Sequence, residues 1–154
     1  PDFYDYIFLI QVIEHLHDPI KSIAKLRGSL KKGGILVIET PDTDCLDYKI
    51  FFNRYWGGFH YPRHFNLFNK KNLSTILSAD KFEMILISNK LQPVHWLWSV
   101  HHFLKEKFGN NILTKSFNIK NILWITFFTV IDSIQLFFLK KSSNQRIVCK
   151  KKFD

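Results

Sequence analysis

The apolar positions of this chain fall into a strand, helix, strand rhythm at its start. Tyr4 to Ile10 is a short, nearly unbroken run of β-branched and aromatic residues, which predicts a strand buried on both faces, as in parallel sheets. Asp18 stands where it can cap a helix, and Pro19 falls in the first turn, where a missing N–H costs nothing. Ile20, Ile23, Ala24 and Leu30 then recur at helical spacing with Lys21, Lys25 and Arg27 on other faces, so one stripe would pack on a sheet. Gly33 and Gly34 predict the end of that helix, and Ile35 to Ile38 a second strand. Such a unit is a right-handed crossover between parallel strands, the building block of open α/β sheets. Ligands in these sheets sit beyond the carboxyl ends of the strands, which puts Gln11 to His17 and Glu39 to Asp44 on the functional rim.

Further along, Pro41 stops the second strand, and a short helix is expected over Leu46 to Tyr55 before the break at Gly57-Gly58 and Pro62. Asn69 predicts the cap of a helix from Lys70 to Ala79 with Leu73, Ile76 and Leu77 on one face, and Phe82 to Ser88 a third strand. Residues 89–144 read as a helical insertion before a last strand at Arg146 to Cys149. Val94 to Phe108 is its first helix, ended by Gly109. Its second, IKNILWITFFTVIDSIQLFFL (Ile119 to Leu139), nears the length of a membrane span, yet holds Asp132 and Gln135. A mid-bilayer Asp costs about 3 kcal/mol, so a helix lying in a membrane interface or closing over a substrate site is preferred to a span. Packing against the rest of the chain is the other course.

Composition narrows the choices modestly. At 154 residues and 46% hydrophobic content the chain can build a core, so disorder is excluded as the main state. Twenty-two Lys and Arg against 13 Asp and Glu leave a net charge of +9, which could favour nucleic acid, an anionic membrane or acidic substrates and taken alone names no partner. With the rest of the chain, a membrane surface is expected and nucleic acid is not. Cys45 and Cys149 stand far apart without CxxC spacing, which predicts ordinary thiols in a reducing compartment, the cytoplasm. The apolar run Ile119 to Leu139 with Lys140 and Lys141 adds the expectation of a peripheral position at a membrane.

The runs DYIFLIQVIEHLHDP, LKKGGILVIETPD and WGGFHYPRHFNLF, in that order and followed by a helix and a strand, resemble the later half of class I S-adenosylmethionine-dependent methyltransferases, most closely the ubiquinone-biosynthesis O-methyltransferase group. The resemblance covers Asp2 to Ser88 and returns at Arg146 to Lys152. It implies a partial Rossmann-like sheet whose last strand enters antiparallel, with residues 1–88 and 145–152 forming its later half. The first strand, a glycine-rich turn and an acidic residue for the cofactor ribose belong to the earlier half. No Gly pair here follows a strand and opens a helix, so the chain is expected to begin mid-fold.

By the same resemblance Ile10, Gln11 and Val12 would lie against the methionine end of S-adenosylmethionine. Some ubiquinone-pathway relatives hold a divalent metal with a Glu-x-x-Glu-His run; here Gln11 replaces the first Glu while Glu14 and His15 match. An amide brings no charge to a hard cation, so local hydrogen bonding by Glu14 and His15 is the competing role. Trp56, Phe59, His60, Tyr61, Arg63 and His64 would cover the acceptor pocket. Methyl transfer to a hydroxyl or amine asks for proton removal near neutrality, where histidine titrates. His64 is the expected base, with His15 nearby and Arg63 as an anion clamp. His60 and His64 share the i, i+4 spacing of a metal pair, but Pro62 opposes the helix that pair would need. His95, His101 and His102 have no Cys or carboxylate placed with them.

Three functions therefore compete. The first is S-adenosylmethionine-dependent methyl transfer to a small-molecule or lipid-like acceptor. The second is a non-catalytic remnant that binds a membrane surface or a protein. The third is a metal-dependent hydrolase using Glu14, His15, His60 and His64.

Overall fold

In a computed structural model, which describes residues 2–152, the two opening apolar runs are neighbouring parallel strands. Strand β1 spans Tyr4–Ile10 and β2 spans Leu30–Pro41, with Ile7 opposite Leu36 and Ile10 opposite Glu39. Helix α1, Pro19–Ser29, joins them, and Asp18 caps it by accepting from the Lys21 N–H at 2.9 Å. The glycine pair does not end this helix. Leu30 is already extended and fully buried, so the chain enters the sheet three residues earlier than Gly33. Gly33 and Gly34 instead form a bulge: Tyr4 pairs with Leu30 but Tyr6 with Ile35, and Gly33 takes φ +75°. A Cβ on Gly34 would lie 2.9 Å from the Lys31 carbonyl oxygen.

The remaining elements are α2 (Leu46–Phe51), α3 (Lys70–Ala79), β3 (Phe82–Lys90), α4 (Pro93–Phe108), α5 (Ile112–Ser116), α6 (Ile122–Leu139) and β4 (Asn144–Lys151). The helix after Cys45 is thus shorter than expected, and the last strand longer. The sheet order is β1-β2-β4-β3. Side chains of β4 meet β2 in reverse order: Gln145 reaches the Pro41 carbonyl, Arg146 pairs with Glu39, and Lys151 reaches the Leu30 carbonyl. Strand β4 therefore runs antiparallel to its neighbour, as expected.

The chain divides into two compact units. The first comprises residues up to Asp42, Arg63–Ser88 and the stretch from Gln145; the second comprises Thr43–Pro62 and Asn89–Asn144. Residues 43–62, left with the sheet in the sequence, cluster with α4 because their aromatic rings pack there: Phe51 on Trp96, Trp56 on His95.

In the first unit Ile23 of α1 and Leu73 and Leu77 of α3 share one core with Leu9, Leu36, Ile38, Ile147 and Cys149. Both helices thus cover the same face. On the other face Tyr6 and Phe8 are 62% and 61% exposed, so β1 is not buried on both sides as its apolar run predicts. Within the first unit no described element packs there. The second unit has its own core of Trp96, Leu97, Phe117 and Phe128, to which Trp124, Ile125 and Ile131 of α6 add.

Candidate active site at the end of strand β1

Strand β1 delivers its last residues to the sheet rim by a tight change of direction. Gln11 takes φ +53°, the left-handed region that a non-glycine residue occupies only when its surroundings enforce it, while its N–H still donates to Glu39 O at 2.9 Å. Residues Ile13–His15 then form a single 3₁₀ turn. Ile13 is fully buried and anchors this turn in the core, which draws Glu14 inside with it. Ile10 and Val12 remain 45% and 38% exposed on the rim.

Glu14 is 1% exposed. Its Oε2 accepts from the Thr40 hydroxyl at 2.9 Å, and its Oε1 has no hydrogen-bond partner. Burial pushes its carboxyl above the usual carboxylate range, and its own backbone N–H and then the Thr40 hydroxyl only partly offset that. A buried carboxylate with an unsatisfied oxygen is costly to keep unless it meets a proton or a cation.

A strap from Arg63 to Asn66 closes over the turn. The N–H groups of Phe65 and Asn66 both donate to Glu14 O, and Asn66 Nδ2 donates to Leu16 O at 2.6 Å. His17 stacks on Phe65 at 4.4 Å between ring centres. These bonds bring His64 edge-on to His15, with ring centres 4.7 Å apart. His15 Nδ1 donates to the Arg63 carbonyl at 2.9 Å, so the neutral ring carries its proton there and keeps the lone pair on Nε2. One ligand atom from each of Glu14, His15 and His64 lies within 4.8 Å of the others. Among the described residues this is the one cluster of three or more His, Cys, Asp or Glu groups so arranged.

The predicted residues are therefore partly brought together. Glu14, His15, Arg63 and His64 meet, with Arg63 acting on His15 through its backbone carbonyl while its side chain is exposed. His60 and His64 do not form an i, i+4 pair on a helix, since residues 60–64 are not helical and His60 takes φ +39°. His60 lines a cavity of about 500 Å³ in the second unit, together with Arg54, Trp56, Phe59, Tyr61, Trp98 and His102. Burial holds the His102 imidazole below its ordinary range. Asp47 fixes the Trp56 indole, accepting from Nε1 at 2.7 Å, and Glu106 takes both Arg54 and the Tyr55 hydroxyl. Trp98 and His102 were missed as wall residues, although their i, i+4 spacing on α4 gave the signal. Thr40 was placed on the rim with Glu39 to Asp44, but nothing local marks its bond to Glu14.

The profile of a family described as "Methyltransferase domain" matches residues 1–87. That is more than half of the chain, and the chain belongs to this family. Comparison with the curated proteins finds no match. Among solved structures, a SAM-dependent methyltransferase from Archaeoglobus fulgidus shares 16% identity over 97% of this chain and 60% of that one, with a TM-score of 0.54. A possible histamine N-methyltransferase from Thermotoga maritima shares 13% identity over 98% of this chain and 57% of the other, at a TM-score of 0.57. Phosphoethanolamine N-methyltransferase 2 of Haemonchus contortus, solved with S-adenosyl-L-methionine, shares 16% identity over 99% of this chain and 34% of that one, at 0.51. At these identities the likeness is one of fold: an α/β methyltransferase sheet. The chain spans between about half and three-fifths of the first matched structures, 51%, 60% and 57% of their lengths.

Proposed function

We propose that this chain supplies the acceptor-facing part of an S-adenosylmethionine-dependent methyltransferase, acting on a small, apolar or lipid-like acceptor. The observation that carries it is the cluster of Glu14, His15 and His64 beside an exposed strand end, Ile10 to Val12, at the rim where this sheet type binds ligands. The residues present fit one end of the cofactor. Ile10 and Val12 offer exposed apolar contact there, while no glycine-rich strand-to-helix turn for its other end occurs in the sequence.

S-adenosylmethionine, when bound, supplies an electrophilic methyl carbon on its sulfonium. The chain's own task is to hold the acceptor in line and remove its proton. His64 is the proposed base, His15 orients it edge-on, and Arg63 offers its exposed guanidinium to an anionic acceptor group. A cytoplasmic enzyme working peripherally at an anionic membrane surface would meet a lipid-like acceptor there. The test is transfer of labelled methyl from S-adenosylmethionine into small-molecule and lipid extracts by the full-length protein. His64→Gln should lower kcat by roughly 10²- to 10⁴-fold with little change in cofactor affinity. Equal turnover by the variant would reject His64 as the base. The alternative, a non-catalytic membrane- or protein-binding remnant, predicts no transfer and no cofactor binding.

The unpartnered Glu14 Oε1 favours a second reading, in which His64 is a ligand and not the base. Glu14, His15 and His64 would hold a divalent cation, which would polarise an acceptor oxygen. Magnesium, manganese or zinc should then raise the thermal midpoint of the wild type and not of Glu14→Gln; equal shifts in both would exclude it.

A further inference from the structure

Helix α6 is inverted relative to the helix of a water-soluble surface. Its one charged residue, Asp132, is fully buried, and Gln135 is 3% exposed. Outward it presents Leu123 at 77%, Phe127 at 50%, Ile134 at 52% and Phe137 at 69% exposure, at steps of three, four or seven residues along one side. A surface helix normally does the opposite, turning polar residues to water.

We infer that this outward face of α6 docks into the interfacial layer of an anionic bilayer, with the helix lying in the membrane plane and not crossing it. The inference deepens the lipid-like acceptor reading by naming the surface that meets the lipid, and it stands or falls without methyl transfer being measured.

Four observations favour lipid over a second copy or another protein. The outward apolar face carries no charged residue between Asn121 and Lys140, so it lacks the polar rim that surrounds a protein seam. Lysines stand at both ends: Lys115 and Lys120 before the helix, Lys140 and Lys141 after it. Lys140 Nζ lies 5.3 Å from the Phe137 ring centre, its charge at the border of the apolar face, as in a side chain reaching for head groups. With a chain charge of +9, anionic lipid is the complementary surface.

The inward face sets the orientation. Asp132 accepts from the Gln92 N–H at 2.6 Å and from the Ser142 hydroxyl at 3.0 Å, and Gln135 Oε1 accepts from the Leu46 N–H at 3.1 Å. Phe128 stacks in parallel on Trp96 of α4. A helix surrounded by lipid would have to break these bonds and bare a carboxylate in hydrocarbon. A helix lying flat keeps them and buries only its apolar side.

The test is flotation of the full-length protein with phosphatidylcholine vesicles and with vesicles of phosphatidylcholine mixed with phosphatidylglycerol. The protein should float with the mixed vesicles and be released by alkaline carbonate. A Phe127→Glu, Ile134→Glu double variant should bind about tenfold or more weakly, because two large apolar groups leave the contact. Lys140→Gln and Lys141→Gln should each weaken binding to the anionic vesicles by about fivefold and leave the neutral ones unaffected. All four side chains are on the surface or at its edge, so circular dichroism and the thermal midpoint should stay at wild-type values. Three results would overturn the inference: retention after carbonate, which means a span; binding that is indifferent to the double variant; or no flotation with the mixed vesicles, in which case a dimer abolished by Ile134→Glu would assign the face to a second copy. Cofactor titration on the same preparations separates this from the catalytic proposal, since vesicle binding that persists without cofactor binding supports the docking surface and removes only the enzyme.

Discussion

Glu14 is held inside the fold with half of its carboxylate unanswered, and that has a sign. Its pKa is raised chiefly by burial, so the folded chain holds the proton more tightly than the unfolded chain does. Stability linked to Glu14 is therefore fully present at pH below the ordinary value of 4.5 and is lost as the pH climbs from there through the raised value. In a buffer free of divalent cations, thermal unfolding at pH 5 and pH 8 should show the wild type losing more stability over this range than Glu14→Gln. The amide keeps the shape without the charge. An identical pH slope in both proteins would mean that Glu14 is solvated and paired in ways the buried geometry does not contain. His15 is fixed from one side: Nδ1 donates to the Arg63 carbonyl, which leaves Nε2 as its ligand atom.

At the scale of elements, the helix caps give the sharpest local statement. Asn69 accepts from the Asn72 N–H, and Asn72 returns the bond to the Asn69 N–H, both at 2.8 Å. Asn69→Ala should cost about 1 kcal/mol in urea unfolding with an unchanged m-value, and a loss within error of zero would show the cap to be redundant. Caps of this kind were legible in the sequence because they are local: Asp18 with Pro19, and Asn69, mark where α1 and α3 begin. The Gly33-Gly34 bulge was not. A glycine pair after an apolar stripe reads as a helix end, and only the burial of Leu30 against the core shows that the strand has already begun. Nor could periodicity tell that one face of β1 stays open, since an apolar run reports affinity for cover and not its presence. Glu14, His15, Arg63 and His64 were found by residue type and resemblance, but the bonds that assemble them span 26 residues for Thr40 to Glu14 and 48 for His15 to Arg63. Contacts at such separation leave no mark on spacing.

Taken as a molecule, the chain pairs a methyltransferase sheet with a second unit whose long helix turns its charge inward and its apolar residues outward. The first unit carries the proposed site and the second the proposed membrane face. In the proposed reading, the exposed rim at Ile10 to Val12 would hold the methionine end of the cofactor. Isothermal titration of S-adenosylmethionine into the full-length protein and its Val12→Trp variant tests this directly. Saturable one-site binding by the wild type, weakened about tenfold or more (about 1.4 kcal/mol or more) by the bulk at Val12, is the predicted result. No binding at millimolar cofactor, or equal affinity in the two proteins, would contradict it.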